Sequence, residues 1–260
     1  MVKIACHSLT WGNFYKDKPY PIENVLKDVK ESGFDGVELF EPITRFGEPR
    51  VFQKLLRAHG LALATLSGNL NLTSADNKDM EEAKEKIRFL HSLGITTFML
   101  CGAWMSDTSQ KTDTNFKNYS ARLEELSKYA KGFNVDVAFH PHLNTLVETG
   151  EDIERLYKHI SITKLCIDIA HLAARGSDPI GVIKQYAPQT KLIHLKDWDA
   201  GEKRFVELGK GVLRDTLKDI IAQIKATGYA GWLVCELDET RISPKESAKI
   251  NRTFLKTIGL

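Results

Sequence analysis

Val135-Asp-Val-Ala-Phe-His140-Pro-His142 is a short apolar run that ends in two side chains able to bind a metal ion. Three later runs follow the same pattern: Leu165-Cys-Ile-Asp168-Ile-Ala-His171, Leu192-Ile-His194-Leu-Lys196-Asp197 and Trp232-Leu-Val-Cys-Glu236-Leu-Asp238. Helix-like segments separate these runs, so strand, polar end and helix recur in that order. Because parallel strands closed into a ring bring their carboxyl ends together, the pattern predicts a metal site at the mouth of a barrel.

The rest of the chain repeats this alternation of helix and strand. Five helix-like segments end on glycine, which accepts the left-handed cap conformation, and an apolar strand follows each of them: Gly33, Gly60, Gly94, Gly132 and Gly228. Strands are predicted near 3–9, 36–40, 61–67, 96–101, 135–140, 162–168, 190–195 and 231–236. Helices are predicted near 21–32, 48–59, 76–92, 114–131, 150–159, 178–186, 213–227 and 244–257.

Eight alternating units favour a closed (β/α)8 TIM barrel, an α/β fold, over an open doubly wound sheet. The strands are apolar on both faces, as expected for parallel strands covered by helices. Such a barrel takes about 250 residues and the chain has 260, with no Pro/Ser-rich linker dividing it. We therefore expect a single domain over residues 1–260. The segment after the first strand, His7-Ser-Leu-Thr-Trp-Gly, lacks the glycine pattern of a dinucleotide-binding turn.

Composition narrows the functional classes. A hydrophobic content of 42% and a charged content of 27% are typical of a globular protein in water. The formal net charge is +2 and the basic residues are scattered, which argues against nucleic acid as a partner. The apolar segments are too short to span a membrane, and no signal-like run precedes the first strand, so a cytoplasmic location is expected. The four cysteines show no CxxC spacing and are interpreted as buried thiols.

Polar residues at the carboxyl ends of the strands mark the expected site, since function lies at that rim of a barrel. Asp168, His194 and Glu236 are the strongest candidates because three consecutive strands would bring two carboxylates together in a partly buried mouth. That arrangement is costly unless a cation is present. Mixed oxygen and imidazole donors suit Mn²⁺, Co²⁺, Mg²⁺ or Zn²⁺, and the sequence does not choose among them. Trp11 and Trp104 are candidates for stacking on a sugar, with packing over the core as the alternative.

The motifs Phe-His140-Pro-His142, Cys-Ile-Asp168-Ile-Ala-His171, Ile-His194-Leu-Lys-Asp197 and Gly-Trp-Leu-Val-Cys-Glu236 resemble the sugar isomerase/epimerase superfamily of xylose isomerase-like TIM barrels. The resemblance covers essentially the whole chain. The His-x-His form, followed by Thr-x-Val-Glu148, looks most like the inosose dehydratase and keto-sugar lyase branch. The family binds one divalent cation through strands 5 to 8, which implies Asp168, His194 and Glu236 together with a ligand from strand 5. That ligand is either His140 or Glu148; His140 is favoured because it stands at the strand tip.

The resemblance also implies a chemistry, removal of a proton from a carbon beside a carbonyl. The expected function is that of a metal-dependent isomerase or epimerase of an unphosphorylated sugar, keto-sugar or cyclitol. A dehydratase or keto-glycoside lyase using the same enolate is the first alternative, and a non-catalytic sugar-binding barrel is the second. The expected partner is this small molecule; a homodimer is suggested only by analogy with other barrels.

Roles for individual residues follow as hypotheses. Glu236 is expected to act as the base, with His142 and His171 as alternatives for proton delivery, and Lys196 is expected to hold a substrate hydroxyl or the enolate oxygen. The remaining expected substrate contacts are His7, Trp11, Glu38, Asn69, Trp104 and Asp197. Gly209-Lys-Gly211 is interpreted as a turn and not as a phosphate-binding loop. A DNA-repair nuclease of this superfamily is rejected because the extra zinc ligands are absent from Ser67-Gly-Asn69, Cys101-Gly-Ala and Phe205-Val-Glu-Leu.

Overall fold

The computed structural model describes residues 2–18, 20–73 and 76–260. Within these residues the strands, numbered β1 to β10 in chain order, are Lys3–His7, Gly36–Leu39, Ala62–Leu70, Thr97–Gly102, Asp136–Phe139, Lys164–Asp168, Thr190–Leu195, Asp197–Asp199, Arg204–Val206 and Trp232–Cys235. All of them except β8 and β9 form a closed barrel in the order β1-β10-β7-β6-β5-β4-β3-β2. Every neighbouring pair in the barrel is parallel. The predicted (β/α)8 TIM barrel is confirmed.

Helices surround the barrel. Numbered α1 to α10, they are Leu9–Phe14, Ile22–Glu31, Pro49–Ala58, Lys78–Ser92, Asp113–Lys131, Gly150–Tyr157, Ile169–Ala174, Pro179–Gln185, Leu217–Ala226 and Pro244–Thr257. Thr149 and Ser243 begin α6 and α10 with capping boxes, in which the cap side chain and the acidic third residue exchange hydrogen bonds. Among the described helices, none combines the length and the apolar character needed to cross a bilayer.

The glycine caps match the prediction at most of its positions. Gly33, Gly60, Gly94 and Gly228 have positive φ values between 62° and 91°. Gly132 differs, because its φ is −61° and the left-handed conformation is taken two residues later by Asn134, with φ 55°. Asparagine is among the side chains that tolerate this region.

Two short helices and one hairpin of the described chain lie outside the predicted pattern. The first strand ends at His7 and α1 begins at Leu9, whereas the strand was predicted to continue to residue 9. The antiparallel hairpin of β8 and β9 follows β7 directly. The short helix α7 follows β6 because the Asp168 side chain caps it, accepting the backbone N–H groups of Ala170 and His171.

The barrel interior is layered, and this layering positions the polar residues. One layer consists of Ala5, Ala64, Met99, Ala138, Cys166, Leu192 and Val234. Side chains two residues further along a strand point the same way, so the next layer toward the carboxyl rim contains His7, Cys101, His140, Asp168, His194 and Glu236. The strands pair in register at this level, with Asp168 opposite His194 and His7 opposite Glu38. The fold therefore gathers donors that are distant in sequence into one ring.

Candidate metal centre and substrate cavity

His140, Asp168, His194 and Glu236 form a compact buried group at the carboxyl end of the barrel. One donor atom from each residue lies within 4.8 Å of the others. His140 Nε2 is 3.4 Å from Asp168 Oδ2, and His194 Nδ1 is 2.9 Å from Glu236 Oε2. Two imidazoles and two carboxylates without a thiolate are a donor set that suits a divalent transition metal or Mg²⁺.

The Asp168 carboxylate is held by its own helix. Its Oδ1 accepts the backbone N–H groups of Ala170 at 2.8 Å and His171 at 2.9 Å. Its Oδ2 lies in the cluster, and within the described residues it has no partner in hydrogen-bonding geometry. Both ring nitrogens of His140, a side chain that is only 1% exposed, also lack such a partner there. Buried polar atoms are normally hydrogen-bonded. These atoms are not, although Lys196 Nζ lies 3.3 Å from Asp168 Oδ2, and they fit a bound cation.

His194 lies between two carboxylates. Its Nδ1 contacts Glu236 Oε2 at 2.9 Å and its Nε2 contacts Glu38 Oε2 at 3.0 Å. Burial by itself would lower the pKa of His194, but its acidic neighbours, Cys166, Glu38 and Glu236, raise it well above its ordinary value. A metal ion at Nδ1 would take the place of the proton that this nitrogen shares with Glu236, while Nε2–H keeps its bond to Glu38; a ligand histidine supported by a carboxylate on its other nitrogen is typical of metal sites.

Glu38 was expected to contact the substrate, and this expectation is wrong. Its side chain is fully buried because His194 and Ser67 engage its two oxygens, the latter at 2.8 Å. Burial opposes ionisation, yet His194 and His7 hold the pKa of Glu38 well below its usual range. Glu38 therefore acts as an anionic support for the His194 ring.

Lys196 adds an internal cation to the cluster. Its Nζ lies 3.3 Å from Asp168 Oδ2, 3.0 Å from Glu236 Oε2 and 3.0 Å from Asp238 Oδ1. The side chain is fully buried, and its ammonium group lies 4.3 Å from the centre of the Phe205 ring. Burial would lower its pKa, but the three carboxylates raise the pKa well above the ordinary value. Lys196 is therefore charged and pairs with carboxylate oxygens of Asp168 and Glu236, two members of the candidate metal-binding group.

His142, His171 and Asp238 form a second group with metal-like spacing beside the first. The rings of His142 and His171 are in contact, with centroids 3.8 Å apart. His142 lines the cavity, whereas His171 is fully buried behind it and packs against Phe205. Burial, together with His140 and Lys196, lowers the pKa of His142 to about 4. Burial also holds the pKa of His171 well below its ordinary value.

A cavity of about 780 Å³ opens above the cluster. His140, His142 and Glu236 line its floor, and three of the expected substrate contacts also line it: His7, Asn69 and Trp104. The Trp104 ring is 47% exposed, donates its indole N–H to Asn69 Oδ1 at 2.6 Å and packs edge-on against His142. An exposed aromatic ring beside polar groups at a cavity entrance is a surface on which a sugar can stack.

Two other expected substrate contacts are wrong. Trp11 is 1% exposed and donates its indole N–H to Asp28 Oδ2 at 3.1 Å, so it packs in the core, as its alternative interpretation held. Asp197 is fully buried, and its carboxylate accepts four backbone N–H groups, those of Trp198, Gly209, Gly211 and Leu213. Asp197 thus holds the Gly209-Lys-Gly211 turn, which agrees with the interpretation of that segment as a turn.

Glu148 does not join the candidate metal-binding group of His140, Asp168, His194 and Glu236. It is 4% exposed and forms ion pairs with Lys111 at 2.9 Å and with Arg175. It also accepts the backbone N–H of Asn144 at 2.6 Å. His140 is therefore the strand-5 residue that the structure places among the donors.

Some cavity residues could not be recognised from the sequence. Glu82, Glu85 and Lys86 reach the cavity from α4, where a run of charges is ordinarily a solvent-exposed helix face. Lys86 donates to the carbonyl oxygens of Phe40 and Ser67, and burial lowers its pKa to about 8. Cys101, expected to be buried, is partly exposed and lines the cavity.

Comparison with known proteins identifies the family. The model of the xylose isomerase-like TIM barrels matches residues 26–258, and the chain belongs to this family. It is 25% identical over 291 aligned residues to inosose dehydratase of Clostridium tetani, covering 98% of this chain and 96% of that protein.

Two solved structures show the same fold. One is 3-keto-D-glucoside 4-epimerase, YcjR, from E. coli, with a TM-score of 0.77, 16% identity and 99% of each chain covered. The other is the IolI protein with a bound zinc atom, with a TM-score of 0.76, 17% identity and 99% and 98% of the two chains covered. At these identities the likeness concerns the fold alone.

Proposed function

We propose that this chain is a divalent-metal-dependent isomerase or epimerase of an unphosphorylated sugar, keto-sugar or cyclitol, acting by proton removal beside a carbonyl. The observation that carries the proposal is the buried group of two imidazoles and two carboxylates at the floor of a cavity lined by both polar and apolar side chains. Relatives named for inosose and a keto-glucoside support a substrate of this class.

His140, Asp168, His194 and Glu236 would hold the metal ion, and Mn²⁺, Co²⁺, Mg²⁺ and Zn²⁺ all fit these donors. The zinc atom in the IolI structure supports a cation in this family. When bound, a divalent cation acts as a Lewis acid toward substrate oxygen atoms.

Glu236 is assigned as the base. Its Oε2 is engaged by His194 and Lys196, which leaves Oε1 to accept a proton from carbon. Burial would raise the pKa of Glu236, but Lys196 and His194 lower it well below its usual value, so the carboxylate is ionised before substrate binds. A positioned base of this kind contributes about 10²–10⁴-fold to the rate.

Lys196 is assigned to charge balance. Because its ammonium group is fully buried and contacts three carboxylates, it offsets the negative charge around the base. Direct contact with a substrate hydroxyl, the role expected from the sequence, would require this ammonium group to leave its ion pairs.

Dehydration is the second candidate, and the position of His142 favours it. Elimination needs a group that can exchange a proton near the leaving hydroxyl, and His142 lines the same cavity as Glu236. The similarity to inosose dehydratase over nearly the whole chain points the same way.

The test is incubation of metal-replete protein with inososes and keto-sugars in D₂O, followed by mass spectrometry and NMR. Deuterium uptake without any other change in mass supports the isomerase or epimerase, and loss of water supports the dehydratase. Asp168→Asn, which loses one cluster oxygen, is expected to abolish either reaction, whereas Lys111→Met outside the cluster retains it. Binding without exchange or water loss would instead identify a sugar-binding barrel and overturn the proposal.

A further inference from the structure

The main chain of Leu143 contacts the imidazole rings of both His142 and His171. Its N–H donates to His171 Nδ1 at 3.2 Å, and its carbonyl oxygen lies 2.8 Å from His142 Nδ1. A backbone N–H can only donate and a carbonyl oxygen can only accept. His171 Nδ1 must therefore be without a proton, whereas His142 Nδ1 must carry one.

The second nitrogen of each ring then has a defined state. His171 Nδ1 accepts the Leu143 N–H, so this ring is neutral, and a neutral imidazole carries one proton. His171 therefore carries its proton on Nε2. His142 keeps a proton on Nδ1, so in its neutral form Nε2 is bare and the two touching rings are opposite tautomers.

This assignment bears on the group formed by His142, His171 and Asp238. Its spacing would suit a metal ion, but a ligand nitrogen must offer a free lone pair. The Nδ1 lone pair of His171 is taken by Leu143, and its Nε2 carries the proton. The donor pattern therefore excludes a second cation despite the spacing.

The turn that carries Leu143 is secured on both sides, so its peptide groups are fixed. His142 N–H donates to the Val147 carbonyl at 3.0 Å, and the Thr145 hydroxyl donates to the His142 carbonyl at 2.6 Å. Asn144 N–H donates to Glu148, and the Asn144 carbonyl accepts the N–H of Met105. Glu148 thereby acquires a clear role as an anchor of this turn.

We propose that Leu143 is a positioning residue whose main chain fixes His142 as a hydrogen-bond acceptor in the cavity and His171 as a donor behind it. His142 Nε2 is then ready to receive a hydrogen bond or a proton from a substrate hydroxyl. The His171 ring, whose Nε2–H is buried and has no hydrogen-bond partner in the described part of the chain, packs against the His142 ring. The identity of the substrate rests on the proposed function, but the tautomers do not.

The direct test is long-range ¹H–¹⁵N NMR of the full chain labelled with ¹⁵N-histidine, near pH 7 and without metal, because the nitrogen shifts distinguish protonated from bare ring nitrogens. His142→Gln and His171→Gln each remove one ring and assign the signals. If either variant fails to fold, contacts to the Leu143 amide proton assign them in the unmodified protein. The expected result is protonation at Nδ1 of His142 and at Nε2 of His171. The same tautomer in both rings, or a doubly protonated ring, would overturn the inference.

Metal counting gives a second readout that needs no substrate. Saturation with Zn²⁺ is expected to give one ion per chain, unchanged in His171→Gln. Two ions in the unmodified protein and one in the variant would show that His171 Nε2 is a ligand, contrary to the assigned tautomer. Because neither measurement uses turnover, failure here is distinct from failure of the D₂O experiment.

Discussion

Replacing Lys196 with methionine tests whether the internal cation and a metal ion neutralise the same oxygens. Methionine retains much of the length of the lysine stem and its contact with Phe205, but it removes the ammonium group. Asp168, Glu236 and Asp238 then lose the cation that lies 3.0 to 3.3 Å from each of them. Glu236 and Asp168 are buried, so the loss is not made up by water.

The expected loss of stability in Lys196→Met follows from the burial of its ion pairs. Breaking a buried ion pair by removing one partner costs about 3–5 kcal/mol, and for a chain of this size about 2–4 °C of Tm corresponds to each kcal/mol. The metal-free variant is therefore expected to melt about 6–20 °C below the unmodified protein. With metal bound, the cation compensates Asp168 and Glu236, and only the partly exposed Asp238 loses a partner, at about 0–1 kcal/mol.

Because Lys196→Met loses more stability without metal than with it, the variant is expected to bind the metal ion more tightly than the unmodified protein. A coupling of about 2–5 kcal/mol corresponds to roughly 30- to 4,000-fold in affinity, because the variant no longer holds an ammonium group against the ligand oxygens. Differential scanning fluorimetry with EDTA and with Mn²⁺ measures the stability, and competition with a chelating dye measures the affinity.

Lys111→Met is the matched control. Lys111 also pairs with two carboxylates, those of Glu148 and Asp152, but it lies outside the metal-binding group, so its loss should lower Tm equally with and without metal. Equal Tm changes in both metal states for Lys196→Met, or weaker metal binding by that variant, would refute the reasoning.

Three further outcomes are expected. Burial would raise the pKa of Glu148, but its ion pairs lower it below the ordinary value of 4.5, so ionised Glu148 stabilises the fold above pH 4.5 and this contribution is lost as the pH falls further. In urea unfolding from pH 3 to 7, the free energy of unfolding of Glu148→Gln should therefore fall less steeply toward acid pH than that of the unmodified protein. Identical pH profiles would contradict this. Asp197→Asn leaves backbone N–H groups without an acceptor and should cost about 2 kcal/mol or more, with faster amide exchange in the 209–213 turn; retained protection would count against it. Gly102→Ala should destabilise the fold by about 4 kcal/mol or more, because the added Cβ would lie 1.9 Å from the Leu70 carbonyl oxygen. Gly94→Ala, whose Cβ would have open space around it, should lose far less free energy of unfolding in the same denaturation assay.

The sequence predicted the barrel and its ring of donors because both depend on local patterns. Apolar runs and glycine caps define the strands, and the carboxyl ends of parallel strands meet at one rim. Asp168, His194 and Glu236 could be grouped on that basis alone. The sequence favoured His140 over Glu148 by its position at the strand tip, and the structure agrees, because Glu148 forms ion pairs with Lys111 and Arg175.

The errors arise where a residue lies near a strand end in sequence but its side chain points away from the cavity, or where the residue belongs to a helix. Successive strand residues point to opposite faces, so Asp197 faces away from the side that His194 and Lys196 share. Alternation counted from His194 along the chain is enough to exclude Asp197 from that side. Trp11 lies on α1, a helix whose packing no strand rule describes, and Lys86 reaches the cavity from the middle of α4.

The four N–H groups around the Asp197 carboxylate have a consequence for substrate choice. In many barrels the loops after the last two strands recruit a phosphate from the substrate. Here the Asp197 carboxylate already accepts these backbone N–H groups. Because this carboxylate is attached to the chain, its effective concentration at the N–H groups is higher than a free phosphate group usually reaches. We therefore expect that a phosphorylated metabolite finds none of these four N–H groups free, which would disfavour its binding at this position.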